Sequence, residues 1–210
     1  MNSSTQKFQI AGPSGVLEGL VDEPLDIPAQ AWRGTAVIAH PHPLFGGTMD
    51  NKVVQTVARA FVQSGWRAVR FNFRGVGGSE GVYDNGTGEL QDLLAVVGHT
   101  APDGALALAG FSFGAFVTSH AVTALASRDP AKIVLVGTAA SRFEVASLAA
   151  GLHDRTLVLH GEQDDTVPLA DVMNWARPQS LPVTVVPGGG HFFHGQLPLL
   201  RSLVARHLRA

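Results

Sequence analysis

The chain has 210 residues, of which 45% are hydrophobic and 15% are charged, and its formal net charge is −2. This length suits one domain, predicted to span residues 1–210, whose core needs neither a disulfide nor a metal for stability. The absence of cysteine excludes disulfides, thiol catalysis and cysteine-ligated zinc, and the near-neutral charge gives no indication of nucleic-acid or membrane binding.

The first part of the chain predicts an antiparallel hairpin. Two extended runs, at 8–11 and 16–21, flank a Gly-Pro-Ser-Gly turn at 12–15. Residues 22–33 contain two prolines and are typical of a surface connection. The apolar run Thr35–Ala39 that follows is typical of a parallel strand covered on both faces.

After this strand, helical and extended patterns alternate. The predicted helices are 51–64, 88–99, 113–127, 169–176 and 197–208. The predicted strands are 68–73, 105–109, 133–136, 156–160 and 183–186. This alternation predicts an α/β fold, in which a mostly parallel sheet carries helices on both faces and the carboxyl ends of its parallel strands meet at one edge.

The sharpest local feature is the sequence GFSFG that starts at Gly110. The bare Gly-x-Ser-x-Gly pattern is common by chance, but here it joins a predicted strand to a predicted helix, as in a nucleophile elbow. Such a turn brings backbones close together, so Gly110 and Gly114 suit it. Ser112 is therefore the candidate nucleophile, and a serine in a purely structural turn is the alternative.

A serine hydroxyl needs a base beside it to act as a nucleophile. His191 follows the strand at 183–186 through Pro-Gly-Gly-Gly, which places it on a loop at the same edge of the sheet as Ser112. His194, three residues further on, is its rival, but the next residue already begins the exit toward the last helix. We therefore favour His191 as the base.

The orienting acid is expected in the loop after the strand at 156–160. Asp164 is the favoured residue, and its neighbour Asp165 is expected to cap the helix near Pro168. Glu162 is a weaker candidate. The chain order serine, acid, histidine is that of the α/β-hydrolases and differs from the two other serine-protease orders.

Two backbone N–H groups are expected to form an oxyanion hole. One belongs to Phe113, and the other lies in the loop 40–47, where the prolines leave His42 or Leu44 near its start; we favour His42. A metal site on His40 and His42 is the competing interpretation, but no carboxylate lies near them in sequence, and we predict no metal and no cofactor.

The glycine-rich loop 75–81 lacks the spacing of either common nucleotide-binding motif. Arg74 stands just before it. A structural ion pair is the favoured role for this arginine, and binding of a substrate carboxylate is the alternative.

Five segments resemble a known family: HPHPLFGGTMDNKVV from His40, FNFRGVGGSEG from Phe71, GFSFGA, GEQDDTVP and GGGHFFHG. They are similar to the small, lid-poor α/β-hydrolases related to dienelactone hydrolase and the prolyl-oligopeptidase catalytic domain. The resemblance implies an α/β-hydrolase fold in which Asp164 is the acid and His191 the base, and it supports His42.

The spacing of the strands then predicts an open site without a cap domain. Lidded members of the family carry a cap after the strand matching 133–136, whereas here only residues 137–155 separate that strand from the next, with a short helix expected at 144–150. Six phenylalanines are candidates to line an acyl pocket, and a place in the core is the alternative for several of them: Phe45, Phe111, Phe113, Phe143, Phe192 and Phe193.

The resulting hypothesis is a serine hydrolase that cleaves small carboxylic esters or thioesters through an acyl-enzyme. A peptidase or amidase of the prolyl-oligopeptidase type and a non-catalytic binding protein of the same fold are the alternatives. We expect a small-molecule ester as partner, with no nucleic acid and no membrane. No stretch is apolar for long enough to span a bilayer, and residues 1–6 lack the apolar character of a signal peptide, so we expect a cytoplasmic protein.

Overall fold

A computed structural model describes residues 3–209, in which eight strands form one sheet. The strands, in chain order, are β1 Ser3–Gly12, β2 Gly15–Pro24, β3 Thr35–Ala39, β4 Arg67–Phe71, β5 Leu106–Phe111, β6 Lys132–Val136, β7 Thr156–Gly161 and β8 Val183–Val186. The helices are α1 Lys52–Gln63, α2 Thr87–Thr100, α3 Phe113–Ala124, α4 Leu169–Ala176 and α5 Leu197–Arg209.

The sheet combines an antiparallel hairpin with a parallel core. Its spatial order is β1-β2-β4-β3-β5-β6-β7-β8. β1 pairs antiparallel with β2, and β2 pairs antiparallel with β4, whereas every pairing from β4 through β3 to β8 is parallel. This arrangement confirms the predicted fold class.

Helices cover both faces of the sheet, so the central strands are almost fully buried. One apolar core lies between the sheet and helices α2, α3 and α4, and the other between the sheet and helices α1 and α5. All six residues of β5 are buried, which explains why it has no polar alternation in sequence. The loops after these parallel strands meet at their carboxyl edge.

The hairpin is longer than its apolar pattern predicts. Its register runs from the pair Gly12 and Gly15 to the pair Ser3 and Pro24, well beyond the predicted runs. The added length is polar: Thr5 Oγ1 donates to Asp22 Oδ1 over 2.6 Å. Hydrophobicity marks only the half of the hairpin that packs on the core.

The prediction of a short helix at 144–150 is wrong. A 3-10 helix occupies Ala150–Arg155 instead, and the residues before it are irregular. Their backbone groups bond to side chains of helix α3 and of the 3-10 turn after α4: Ala146 N–H donates to Ser119 Oγ over 3.0 Å, and Leu148 N–H donates to Gln179 Oε1 over 2.9 Å. These tertiary bonds replace the internal bonds of a helix.

Helix α3 ends at Ala124, three residues before its predicted end, and a 3-10 turn at Ala126–Arg128 follows it. Between residues 3 and 209, none of the helices has both the length and the apolar character that a membrane crossing requires.

Candidate active site

Ser112 lies at the sharp turn between β5 and α3. Its backbone is held at φ 56° and ψ −117°, a left-handed conformation that is strained for a non-glycine residue. The Ser112 N–H is fixed by a bond of 2.8 Å to Val136 O. Surrounding structure therefore holds the strained turn in place.

The two glycines of the turn are required by close backbone approach. A Cβ on Gly110 would lie 2.3 Å from Gly114 O, and one on Gly114 would lie 2.4 Å from Ala39 O. Helix α3 thus sits directly against the end of β3. This contact is the geometric reason for small residues at both positions.

The predicted nucleophile, base and acid meet in space. His191 Nε2 lies 3.1 Å from Ser112 Oγ, and His191 Nδ1 lies 2.7 Å from Asp164 Oδ2. All three side chains are buried, with residue exposures of 7% or less. The three loops therefore form one hydrogen-bonded line from carboxylate to imidazole to hydroxyl.

Asp164 is held as an ionised carboxylate. Its second oxygen, Oδ1, accepts from Thr166 N–H over 3.0 Å and from Val167 N–H over 2.7 Å. Burial by itself raises the pKa of Asp164, but the hydrogen bonds from His191 and Val167 outweigh burial, and the pKa lies below its usual value. The acid is therefore ionised at neutral pH and accepts from His191 Nδ1–H.

A histidine that the sequence argument missed lies behind the acid. His160 is fully buried at the end of β7, its Nε2–H donates to Val167 O over 2.9 Å, and its Nε2 is 3.5 Å from Asp164 Oδ2. Burial lowers its pKa, so the ring is neutral at pH 7. The only signal in sequence is its spacing of four residues before Asp164.

The rival acids and base lie outside this line. Asp165 is exposed and accepts only from its neighbour Thr166 Oγ1, over 3.3 Å. Its expected capping role is wrong, because α4 begins after Pro168 without a side-chain cap. Glu162 accepts from Gly188 N–H over 2.8 Å and so ties two loops together, whereas His194 is exposed.

The loop after β3 distinguishes the two candidate oxyanion donors. Leu44 N–H donates to His42 Nδ1 over 3.2 Å, so it is already engaged. Within residues 3–209, neither His42 N–H nor Phe113 N–H has a hydrogen-bond acceptor. The two free donors are therefore the backbone N–H of His42, in the loop after β3, and the backbone N–H of Phe113, at the start of α3.

The side chain of His42 is fixed at both nitrogens. Since Nδ1 accepts from Leu44, the proton is on Nε2 and is donated to Tyr83 Oη over 3.1 Å. Burial and the nearby positive charge of Arg142 lower the pKa of His42, so the ring stays neutral. Tyr83 is the second group that sequence reasoning did not identify.

His40 serves as a structural bridge. Its Nδ1–H donates to Pro41 O over 2.6 Å, and its Nε2 accepts from Phe73 N–H over 3.1 Å. Burial lowers its pKa to about 4. With both ring nitrogens engaged, neither His40 nor His42 has a nitrogen free for a metal, and no cluster of three or more metal-binding side chains occurs among residues 3–209.

Arg74 forms the favoured structural ion pair. Its guanidinium donates twice to Asp92, with Nη2 2.7 Å from Oδ1 and Nε 3.0 Å from Oδ2. Both side chains are buried. The ion pair therefore joins the start of the glycine-rich loop to helix α2.

A cavity of about 290 Å³ opens beside Ser112 and His191. Four of the six predicted phenylalanines line it: Phe45, Phe113, Phe143 and Phe192. Phe111 and Phe193 follow the alternative, because they are fully buried in the core and do not line the cavity. Phe111 instead packs its ring 4.9 Å from that of His191 and so supports the base from below.

Comparisons with known proteins indicate the family to which the chain belongs. The family model for X-Pro dipeptidyl-peptidase (S15 family) matches residues 25–180. The uncharacterized protein RP471 of Rickettsia prowazekii (strain Madrid E) is 39% identical over 115 residues, which is 53% of this chain and 47% of that protein. The match thus spans about half the length of that relative.

Two solved structures align along nearly the whole chain. XC6422 from Xanthomonas campestris, an α/β serine hydrolase without a lid, is 36% identical, with a TM-score of 0.86 over 100% of this chain and 95% of its own. An α/β serine hydrolase homologue from Coxiella burnetii is 41% identical, with a TM-score of 0.83 over 97% of each chain. The chain therefore belongs to the S15 family and, within the α/β-hydrolase superfamily, to the serine hydrolases without a lid.

Proposed function

We propose that the protein cleaves carboxylic esters or thioesters of small acyl substrates through a covalent acyl-enzyme. The observation that carries this proposal is the hydrogen-bonded line from Asp164 through His191 to Ser112, which ends at an open, mostly apolar cavity. The required base lies within hydrogen-bond reach of the hydroxyl, and the acid holds the base in the required tautomer.

The proposed reaction begins with attack of Ser112 Oγ on the substrate carbonyl. His191 Nε2 takes the hydroxyl proton, and Asp164 stabilises the imidazolium that forms. His42 N–H and Phe113 N–H donate to the oxygen of the tetrahedral intermediate. His191 then returns the proton to the departing alcohol or thiol, and a water molecule hydrolyses the acyl-enzyme by the same steps.

The preference for esters over peptides rests on the charge of the cavity. A dipeptidyl-peptidase must accept the free ammonium of a peptide N-terminus, for which a carboxylate is the natural partner. No aspartate or glutamate lines this cavity among the described residues. Arg142 lines it instead, and its positive charge disfavours an ammonium group.

The second candidate function is an X-Pro dipeptidyl-peptidase, and the match to the S15 family model favours it. Matched panels of short aryl esters and of X-Pro aryl amides with a free N-terminus separate the two. The first proposal expects turnover of the esters only, and efficient release of the aryl amine from the peptides would favour the second.

Ser112→Ala is the direct test of the proposed nucleophile. We expect the kcat for a short p-nitrophenyl ester to fall by about 10⁵- to 10⁶-fold, since the remaining groups act only by binding and oxyanion stabilisation. Ser127→Ala, at an exposed serine after helix α3, is the matched control and should keep wild-type turnover.

A fluorophosphonate probe tests the same nucleophile without a substrate. Mass spectrometry of the labelled protein should place the adduct on Ser112. Near-wild-type turnover by Ser112→Ala, or labelling at another residue, would refute the proposed mechanism.

A further inference from the structure

The cavity beside Ser112 is lined by one arginine, Arg142, that has no acidic partner among the described residues. Arg142 is exposed and lines the cavity together with Ser112 and His191. Within residues 3–209, no acidic side chain lies within ion-pair distance of Arg142. Since its guanidinium has five donors and no acidic partner, it is free to bind an anion.

The backbone that carries this arginine is anchored in a turn. Arg142 N–H and Phe143 N–H both donate to Ala139 O, over 3.3 Å and 3.2 Å. The Phe143 ring stacks on Phe116 at 4.7 Å and lies 5.2 Å from Phe113. Arg142 therefore projects from an anchored turn, beside the helix that begins after Ser112.

None of the carboxylates described in residues 3–209 forms an ion pair with Arg142, including the exposed Glu144 and Asp165. Asp164 is buried and receives hydrogen bonds at both oxygens, and Glu162 is engaged with Gly188. Asp50, close to the loop after β3, pairs with Arg70 at 3.2 Å. Among the described residues that line the cavity, aromatic side chains therefore accompany one arginine and no carboxylate.

We propose that Arg142 determines substrate specificity by binding a carboxylate on the ester, remote from the scissile bond. This inference rests on the proposed esterase function and names its substrate class: small esters that carry a negative charge. A guanidinium binds a carboxylate through two parallel hydrogen bonds, and the aromatic walls accept the intervening methylene groups. The carboxylate is on either the acyl or the alcohol part.

The test uses esters matched in length and differing in charge. On the acyl side these are the 4-nitrophenyl esters of adipate, hexanoate and 6-aminohexanoate, which are anionic, neutral and cationic. On the alcohol side they are 5-(butyryloxy)pentanoate and pentyl butyrate, followed by pH-stat. We expect wild-type kcat/KM to favour the anionic ester of at least one pair by about tenfold, the lower range for a hydrogen-bonded charge.

Three variants assign this preference to Arg142. Arg142→Gln should reduce kcat/KM for the preferred anionic ester about tenfold and leave the neutral ester within about twofold. Arg142→Lys keeps the positive charge but lacks the planar guanidinium that makes two parallel hydrogen bonds, so it should retain part of the preference. Arg206→Gln, at an exposed arginine near the end of α5, removes the same charge elsewhere and should behave as wild type.

A binding measurement separates this inference from the proposed function. Calorimetric titration of Ser112→Ala with the same esters measures affinity without turnover. The same titration of the double variant Ser112→Ala, Arg142→Gln gives the affinity without the arginine. If no ester is cleaved and the probe does not label Ser112, the esterase proposal fails, whereas the affinities still test Arg142. Equal affinity for anionic and neutral esters, or a preference unchanged by Arg142→Gln, would overturn the role of Arg142.

Discussion

At the scale of single residues, each member of the Ser112, His191 and Asp164 line is held by groups outside it. The turn between β5 and α3 holds Ser112, the ring of Phe111 packs under His191, and two backbone N–H groups bind the free oxygen of Asp164. Such support keeps the three groups in register before substrate binds, which lowers the cost of reorganisation during the reaction.

Asp164→Asn tests the acid directly. The carboxylate favours the His191 tautomer that carries its proton on Nδ1 and accepts at Nε2. An amide at this position favours that tautomer less strongly, so His191 faces Ser112 in the wrong tautomer. We expect kcat for a short ester to fall by about 10³- to 10⁴-fold.

Asp165→Asn is the control for this experiment, because Asp165 is adjacent in sequence, exposed and not bonded to His191. Its steady-state kinetics should match those of wild type. A larger loss in Asp165→Asn than in Asp164→Asn would show that the acid has been assigned to the wrong neighbour.

Sequence reasoning found the residues that motifs mark and missed those that act across space. Ser112, Asp164 and His191 each follow a strand with a recognisable loop pattern, so their convergence could be predicted. His160 and Tyr83 carry no such pattern. Their roles depend on which loops pack together, and the sequence of one element does not contain that information.

At the scale of elements, His40 joins the loop after β3 to the end of β4 from a fully buried position. Burial lowers its pKa from 6.5 to about 4. Above pH 6.5 the ring is neutral in both the folded and unfolded states. Between pH 6.5 and about 4 only the unfolded state takes up a proton, so stability falls with falling pH across this window.

We expect His40 to remove about 2 to 3 kcal/mol of folding stability between pH 7 and 4.5. His40→Asn should be less stable than wild type at pH 7 but should lose less stability on acidification. Urea unfolding of both proteins at the two pH values measures the difference. Parallel loss of stability in the two proteins would contradict a buried neutral His40.

The limits of prediction differ from element to element. The bounds of β3, α4 and β8 were predicted from apolar pattern and flanking turns, because these elements bury a face and end at clear signals. The segment 137–155 was not, since its backbone is satisfied by side chains of helices that lie far away in sequence. Local pattern predicts helices and strands, whose backbone hydrogen bonds repeat regularly, and fails where single side chains distant in sequence accept those bonds.

At the scale of the whole molecule, a buried ion pair joins the hairpin to the parallel core. Arg70 on β4 donates to Asp22 on β2, with its Nε and Nη2 atoms both 3.0 Å from Oδ2. The two side chains are only 8% and 12% exposed. Removing one partner would leave the other charge buried, which is far more costly than loss of a surface pair.

Asp22→Asn should therefore lower the free energy of unfolding by about 3 kcal/mol, the low end for a broken buried pair, since Arg70 keeps its contact with Asp50. The proposed esterase activity at low temperature should be unchanged, because neither Asp22 nor Arg70 lines the Ser112 cavity. Denaturant unfolding and kcat, measured together, test both statements.

Arg155→Gln serves as the comparison, because it breaks an exposed ion pair with Asp129. The Arg155 side chain is 40% exposed and the Asp129 side chain 73%. We expect it to cost less than about 1 kcal/mol. If the two variants lost equal stability, the hairpin pair would be acting as an ordinary surface contact.

The short irregular segment between β6 and β7 has a consequence for how the protein can change. It supplies one wall of the cavity and the arginine at its mouth, yet none of the proposed reacting groups belongs to it. Under the two proposals above, the preference for charged substrates depends on a segment that contains none of the reacting groups. Transplanting residues 140–149 from a relative should redirect which molecules are accepted while the bond-breaking apparatus stays intact.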